Sequence, residues 1–345
     1  MSAGTRSRCR SFWLLAFPLV VGAALAGCGS SEGGSSSPCI LVSCSIPGSG
    51  GPSQPVPAVV VVPPYVTVQA GTSVTWSTQL ISFRDTPIYQ WSRSSDGGKT
   101  FVNIPGATAS SYSLAATQAD DGAVFRVSAT PVGTTFPATA RAYIAVSSKS
   151  PVVFRDGEFA PQTWTSTPET RAGVSTFAYG VERVPDGGAP GAFQRTTVQI
   201  PPGAGWAAVL YTATSVSYDP AVQGAIQVID FAEDCVLLFG SEFSYALHQL
   251  LLEQNGRRYI PTAGVRSTPD CYARAWSPTS YLSTLYREDF AQIDGPSCAS
   301  GEQCPDFSGS GRPIRFGARR GVSGSGLGEP VAHGVDNWTV TVWRK

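Results

Sequence analysis

Three hydrophobic patterns follow one another along the chain. Ser11 to Leu25 form an almost continuous apolar run behind a basic start at Arg6, Arg8 and Arg10. Residues 29–56, from GSSEGGSSSP through PGSGGPSQPVP, are rich in glycine, serine and proline. From Pro57 onward, short runs alternate apolar and polar positions and are broken by glycine, proline, asparagine and aspartate, the pattern of β-strands joined by turns.

Between Pro57 and Val146, VTVQAGTSVTWS predicts strand, turn and strand, with Ala70-Gly71 at the turn. IYQWSRSSDGGKTFVNI predicts a hairpin about Asp96-Gly97-Gly98, and two more strands flank Asp120-Asp121-Gly122. After SSKSP the predicted strands are RTTVQI, WAAVLYTATSV, AIQVIDF, CVLLFG, YALHQLLLEQ, RRYIP, PIRFG and NWTVTVW. Asn255-Gly256, between YALHQLLLEQ and RRYIP, predicts a type I′ turn. YLSTLYREDFAQI has apolar residues near helical spacing and predicts a short helix, the one exception to an all-β chain. The expected organisation is a leader over 1–27, a flexible tether over 28–56, a β-sandwich over 57–147 and a larger β-sandwich over 150–345.

Composition narrows the partners. Among 345 residues, 24 basic side chains face 24 acidic ones, with no basic stripe or acidic tail. That balance argues against nucleic acid as a partner. The run Ser11–Leu25 is too short to span a bilayer and has the length of a signal-peptide core, so the chain is expected to be exported. Cysteine usage agrees. Beyond Cys9 and Cys28 stand Cys39, Cys44, Cys235, Cys271, Cys298 and Cys304, an even set expected to form disulfides in an oxidising compartment. Proximity pairs Cys39 with Cys44 and Cys298 with Cys304, leaving Cys235 for Cys271. None of these spacings is C-x-x-C, so a metal site on them is disfavoured.

Catalytic signatures are missing. The sequence holds no G-x-S-x-G and no H-E-x-x-H, and Gly98-Lys99-Thr100 lacks the phosphate-loop glycine because position 93 is Arg93. Of two histidines, His248 lies in an apolar strand and is expected to be structural. His333 is expected in a glycine-rich loop before the last strand. Asp230, Glu233 and Asp234 cluster, as do Glu288 and Asp289, and such groups are expected to be solvated surface. The chain is therefore expected not to be an enzyme, with a two-carboxylate glycoside hydrolase as the least favoured alternative.

Three resemblances add to this reading. Leu25-Ala26-Gly27-Cys28 resembles the lipobox of bacterial lipoproteins. The resemblance implies acylation of Cys28, a palmitate-type membrane anchor and a place in the cell envelope. Gly29 rather than aspartate after the cysteine implies the outer membrane. Trp91, with Asp121-Gly122-x-x-Phe125-x-Val127, resembles the immunoglobulin-like sandwich. Here Phe125 replaces the corner tyrosine, Val127 replaces the second cysteine, and Val74 or Trp76 stands for the first.

Phe154-Arg155-Asp156-Gly157-Glu158-Phe159 with Trp164, and Gly334 to Val342, resemble the opening and closing strands of galactose-binding-like and carbohydrate-binding jelly rolls. This resemblance implies carbohydrate recognition through exposed aromatic rings, for which Tyr272 and Trp276 are the candidates. It also implies a structural calcium held by Glu158 or Asp156 with Asp336. The expected function is a lipid-anchored, non-catalytic binding protein for a glycan. The alternative is a structural or adhesive scaffold that docks another envelope protein.

Overall fold

The computed structural model describes residues 56–169, 177–199, 202, 206–240, 245–262, 274–293, 295, 298, 304–323 and 328–345. Residues Ser45–Lys345 form one compact unit. It is almost entirely β-structure, as the alternation predicts.

The first half contributes β1 (Ala58–Val62), β2 (Tyr65–Gln69), β3 (Ser73–Ile81), β4 (Ile88–Ser94), β5 (Val102–Asn103), β6 (Ser111–Ala115), β7 (Val124–Thr130) and β8 (Ala138–Ser147). They form two sheets, β1-β3-β6 and β2-β8-β7-β4-β5. Alternation drives the layering: Val74 and Trp76 of β3 and Trp91 of β4 point inward and are buried, while Ser73, Thr75 and Ser77 face out. Trp76 lies 4.7 Å from Phe125, and Trp91 5.9 Å from Tyr112. This half contains no cysteine, so apolar packing holds it. With Phe125 at the corner, the turn is fastened instead by Asp121, whose Oδ1 accepts from the Val146 N–H at 2.9 Å.

The second half contributes β9 (Val152–Asp156), β10 (Trp164–Glu169), β11 (Ala178–Gly188), β12 (Gly191–Gln199), β13 (Trp206–Tyr218), β14 (Ile226–Phe239), β15 (Tyr245–Gln254), β16 (Arg257–Pro261), β17 (Ser277–Leu285), β18 (Phe290–Gln292), β19 (Ile314–Ser323) and β20 (Pro330–Arg344). One sheet runs β10-β13-β19-β15-β16-β18. The other runs β11-β12-β20-β14-β17, with β9 also paired to β20. A core of Tyr211, Phe231, Leu250, Phe316, Trp338 and their neighbours fills the space between them. A single turn of helix, α1 (Pro220–Gln223), is capped by Asp219, whose side chain accepts from the Ala221 N–H.

Asn255-Gly256 forms the expected turn: φ is +53° and +73°, and Gln254 pairs with Arg257 across it. Two expectations fail. YLSTLYREDFAQI is not a helix: β17 pairs with β14, placing Leu285 opposite Ile229, and a capped 3-10 turn at Arg287–Asp289 leads into β18. Its apolar spacing fits a helix as well as a strand, and the sheet hydrogen bonds of β14 decide the outcome. His333 is not in a loop but inside β20, opposite Leu237 of β14 and Thr196 of β12.

The halves are joined by a short, hydrogen-bonded elbow. Ser147 Oγ donates to the Arg344 carbonyl at 2.7 Å and accepts from the Lys149 N–H at 3.1 Å. Gln227 Nε2 donates to the Val146 carbonyl at 3.0 Å. Cys298 and Cys304 form the expected disulfide. Cys235 is buried and disulfide-bonded; Cys271, Cys39, Cys44 and Cys28 lie outside the described residues.

Candidate functional site

Two polar assemblies stand out, one on each face of the β13-β19-β15 sheet. Along β19, residues alternate Arg315, Gly317, Arg319 and Gly321 on the outer face with Phe316, Ala318 and Arg320 on the inner. The same strand thus supplies an arginine to each assembly.

The inner assembly is sealed in the core. Arg320 Nη2 donates to Glu233 Oε2 at 2.9 Å, and Glu233 Oε1 is hydrogen-bonded to His248 Nδ1. Gln194 accepts from Arg320 Nη1, and the Tyr211 hydroxyl meets Thr196 Oγ1 at 2.7 Å. The His333 ring stands edge-on to His248 at 5.2 Å, and among the described residues neither of its ring nitrogens has a partner. Burial pushes the Glu233 carboxyl up, but Arg320 and His248 outweigh it and hold the group below its ordinary range. Burial, then the charges of His248 and Arg320, push His333 well below the ordinary imidazole value. Glu233 is therefore a buried anion, contrary to the solvated surface expected of it. With Arg320, Glu233, His248 and His333 all at 0–1% exposure, no substrate reaches this assembly; it fixes the pairing of the two sheets.

The outer assembly borders a cleft of about 450 Å³, whose lining includes Glu169, Leu210, Glu253, Arg257, Arg258 and Gln292. Leu210, Leu251 and Ile260 form a small apolar cluster on this outer face. Over it, Glu169 of β10 holds Arg319 by two hydrogen bonds, and Arg319 Nη1 donates to Gln249 Oε1 at 2.6 Å. Gln249 in turn donates to the Pro261 carbonyl at 3.0 Å. At the rim, Arg315 pairs with Glu253 at 3.0 Å, while Arg257 and Arg258 make no side-chain hydrogen bond or ion pair among the described residues. Sequence reasoning missed this set. The spacing-two run Arg315-Gly317-Arg319-Gly321 was its available signal: glycines flanking an arginine on one strand face leave room for side chains of neighbouring strands to close on the guanidinium, and Arg319 is 5% exposed.

Trp276, a candidate from the sequence, lies elsewhere. Trp276 precedes β17 and donates its indole N–H to the Gly187 carbonyl at 2.6 Å. Its ring stands edge-on to Phe193 at 5.4 Å. It packs on the β11–β12 hairpin of the opposite sheet. Tyr272 lies outside the described residues.

Asp156, Glu158 and Asp336 do converge, because β9 pairs with β20 and Asp156 stands opposite Trp338. Their oxygens, however, are engaged by hydrogen-bond donors. Asp156 accepts from the Glu158 and Phe159 N–H groups and from Trp164 Nε1 at 2.7–2.9 Å. Glu158 pairs with Arg183 at 2.6 Å, and Asp336 accepts from the Ala189 and Asn337 N–H groups, each at 2.6 Å. Burial, with Asp234 and Glu158 nearby, pushes the Asp336 carboxyl up despite those donors. Among the described residues no group of three or more His, Cys, Asp or Glu is placed to hold a metal ion. The structure thus gives the calcium expectation no cage: these carboxylates are used to fasten the β9–β20 edge.

Asp230 also departs from expectation. It is not free surface but the acceptor for Thr67, Thr284 and Trp343 at the junction of the two halves. No protein-family model matches the chain, and no curated protein matches it.

Proposed function

We propose that this protein is a lipid-anchored protein of the bacterial cell envelope that displays two β-sandwiches, the first immunoglobulin-like and the second a jelly roll, and binds a carbohydrate without catalysis. The lipobox-like Leu25-Ala26-Gly27-Cys28 and the glycine- and serine-rich segment after it support the anchor and the leash. The observation that carries the binding reading is the outer cleft, where Glu253, Arg257, Arg258 and Gln292 stand beside Leu210 and Ile293 and are backed by the hydrogen-bonded chain Glu169–Arg319–Gln249, in which Glu169 and Arg319 are buried. Sugars present hydroxyls that donate and accept, beside C–H faces that seek apolar contact. The guanidinium, amide and carboxylate groups of Arg257, Arg258, Gln292 and Glu253, which line the cleft, supply donors and acceptors for those hydroxyls.

A glycan array probed with the chain from Ser45 onward tests the proposal. Selective binding is expected, with at least a tenfold loss in Arg257→Ala, a change at an exposed rim residue. A blank array would overturn the carbohydrate reading. Capture of a specific envelope protein through the same face would establish the scaffold alternative. Acyl-chain labelling of the full chain, compared with Cys28→Ser, tests the anchor separately.

A further inference from the structure

The first sandwich has a second surface of its own. One end, bearing Thr67, Gln69 and Ser147, meets the second sandwich. At the opposite end β1 begins beside the close of β3 (Ala58 opposite Ile81), β4 begins beside the close of β7 (Ile88 opposite Thr130), and β8 begins beside β7 (Ala138 opposite Ala129). Exposed apolar side chains gather on these strand ends and on the loops that join them. Phe136 is 85% exposed, Ile88 69% and Val132 63%, with Ile81, Leu80 and Val56 also out. Single exposed apolar residues are ordinary, but several segments presenting them at one end mark a contact surface.

The chain itself says what faces this end. The described residues begin at Val56, on this end, so the segment leading back to Cys28 leaves from the apolar tip and not from the second sandwich. Twenty-eight residues (56 − 28) of glycine- and serine-rich composition give a random-chain span of about 30 Å. An acylated Cys28 therefore keeps the tip at a high effective concentration near the bilayer, so weak intrinsic affinity is enough. The loops at this end carry Arg84 and Asp85, which cancel in charge, so the surface suits an apolar contact rather than attraction to anionic headgroups.

We propose that this tip, centred on Phe136, Val132 and Ile88, docks on the lipid bilayer and holds the second sandwich, with its cleft, facing away from the membrane. The inference rests on the lipid-anchor reading above for its orientation, and its test is independent of acylation.

The test uses the unacylated chain from Ser45 onward with phosphatidylcholine vesicles. It is expected to float with the vesicles, insensitive to salt. Phe136→Ser and Val132→Ser should each cut partitioning about tenfold without changing the thermal midpoint, since both side chains are exposed. Phe136→Trp should show a blue-shifted emission on vesicles, quenched by lipids brominated near the headgroup. Absence of flotation and of the spectral shift would overturn the proposal. Partitioning unchanged by the serine substitutions would do the same. A concentration-dependent dimer abolished by those substitutions, with no vesicle binding, would assign the tip to a second copy instead. Failure of Cys28 acylation would show in labelling of the full chain and would leave the vesicle result standing.

Discussion

Thr67 and Asp230 are 163 residues apart in sequence, and the Thr67 hydroxyl donates to Asp230 Oδ1 at 3.0 Å. The contact binds β2 of the first sandwich to β14 of the second. Asp230 also accepts from Thr284 at 2.7 Å and from the Trp343 indole at 2.7 Å, so one carboxylate draws three strands together. Burial in this junction pushes its pKa up, with the three donors pulling the other way. The two sandwiches are thereby oriented by a polar contact beside the short Ser147–Ser150 elbow.

Removing that acceptor should loosen the junction. Asp230→Ala leaves three donors without their partner and should cost about 1–3 kcal/mol. The expected signature in denaturant is a lower midpoint and a single transition that broadens or splits as the halves uncouple. Thr67→Val should show a coupling energy with Asp230→Ala of about 1 kcal/mol in a double-mutant cycle. Strict additivity would show that the contact does not join the halves.

The buried histidine makes stability depend on pH. His333 is held well below its ordinary value of 6.5 by burial and by His248 and Arg320, with the Glu233 anion close by in the same assembly. Below about pH 6.5 the unfolded chain takes up a proton that the native His333 refuses, so stability falls as pH drops. The slope is about 1.4 kcal/mol per pH unit until the native group titrates. Glu233, depressed below its ordinary 4.5, adds stability present above that value and lost as pH falls through its native pKa. Denaturant midpoints measured from pH 7.5 to 5 should therefore decline in the wild type and flatten in His333→Gln. A flat wild-type profile would refute this account.

These two predictions turn on residues whose roles the chain conceals. Strand alternation and the Asn255-Gly256 turn are local, and both are legible in the sequence. The fates of Asp230 and Glu233 are not, because β14 is bulged: its register to β20 shifts between Ile226 and Val228, between Ala232 and Asp234, and again between Leu237 and Phe239. Each shift resets which face a residue takes, so counting by twos along IQVIDFAEDCVLLF misplaces the acids. The outer cleft was hidden for another reason. Its members come from β10, β13, β15, β16, β18 and β19, joined only by sheet order, which long connections leave open. Trp276 is a candidate exposed aromatic in the sequence, yet the hairpin that covers its edge lies more than 80 positions earlier in the chain.

Trp276 should accordingly behave as a packing residue. Trp276→Ala removes the edge contact with Phe193 and the hydrogen bond to Gly187. For a half-buried ring, a loss of about 1–3 kcal/mol is expected. Glycan binding measured well below the variant's unfolding temperature should match wild type, because the ring packs against the sheet opposite the cleft. Loss of binding with unchanged stability would return Trp276 to the ligand.

The backbone beneath the cleft offers the sharpest test of the sheet. Gly317 lies on the outer face of β19 between Arg315 and Arg319, and a Cβ there would collide with the Tyr211 carbonyl oxygen. That oxygen belongs to β13 next to its register shift between Thr212 and Ser217, so relief requires separating the two strands. Gly317→Ala should therefore destabilise the protein by more than about 3 kcal/mol and remove ligand binding with it, since Leu210 and Arg319 sit on the separated strands. Gly309→Ala, where an added Cβ meets nothing within 4 Å, is the matched control and should leave the unfolding midpoint within about 0.5 kcal/mol of wild type. If Gly317→Ala proved as harmless as Gly309→Ala, the close approach of β13 to β19 would be wrong, and the cleft built on those strands would be wrong with it.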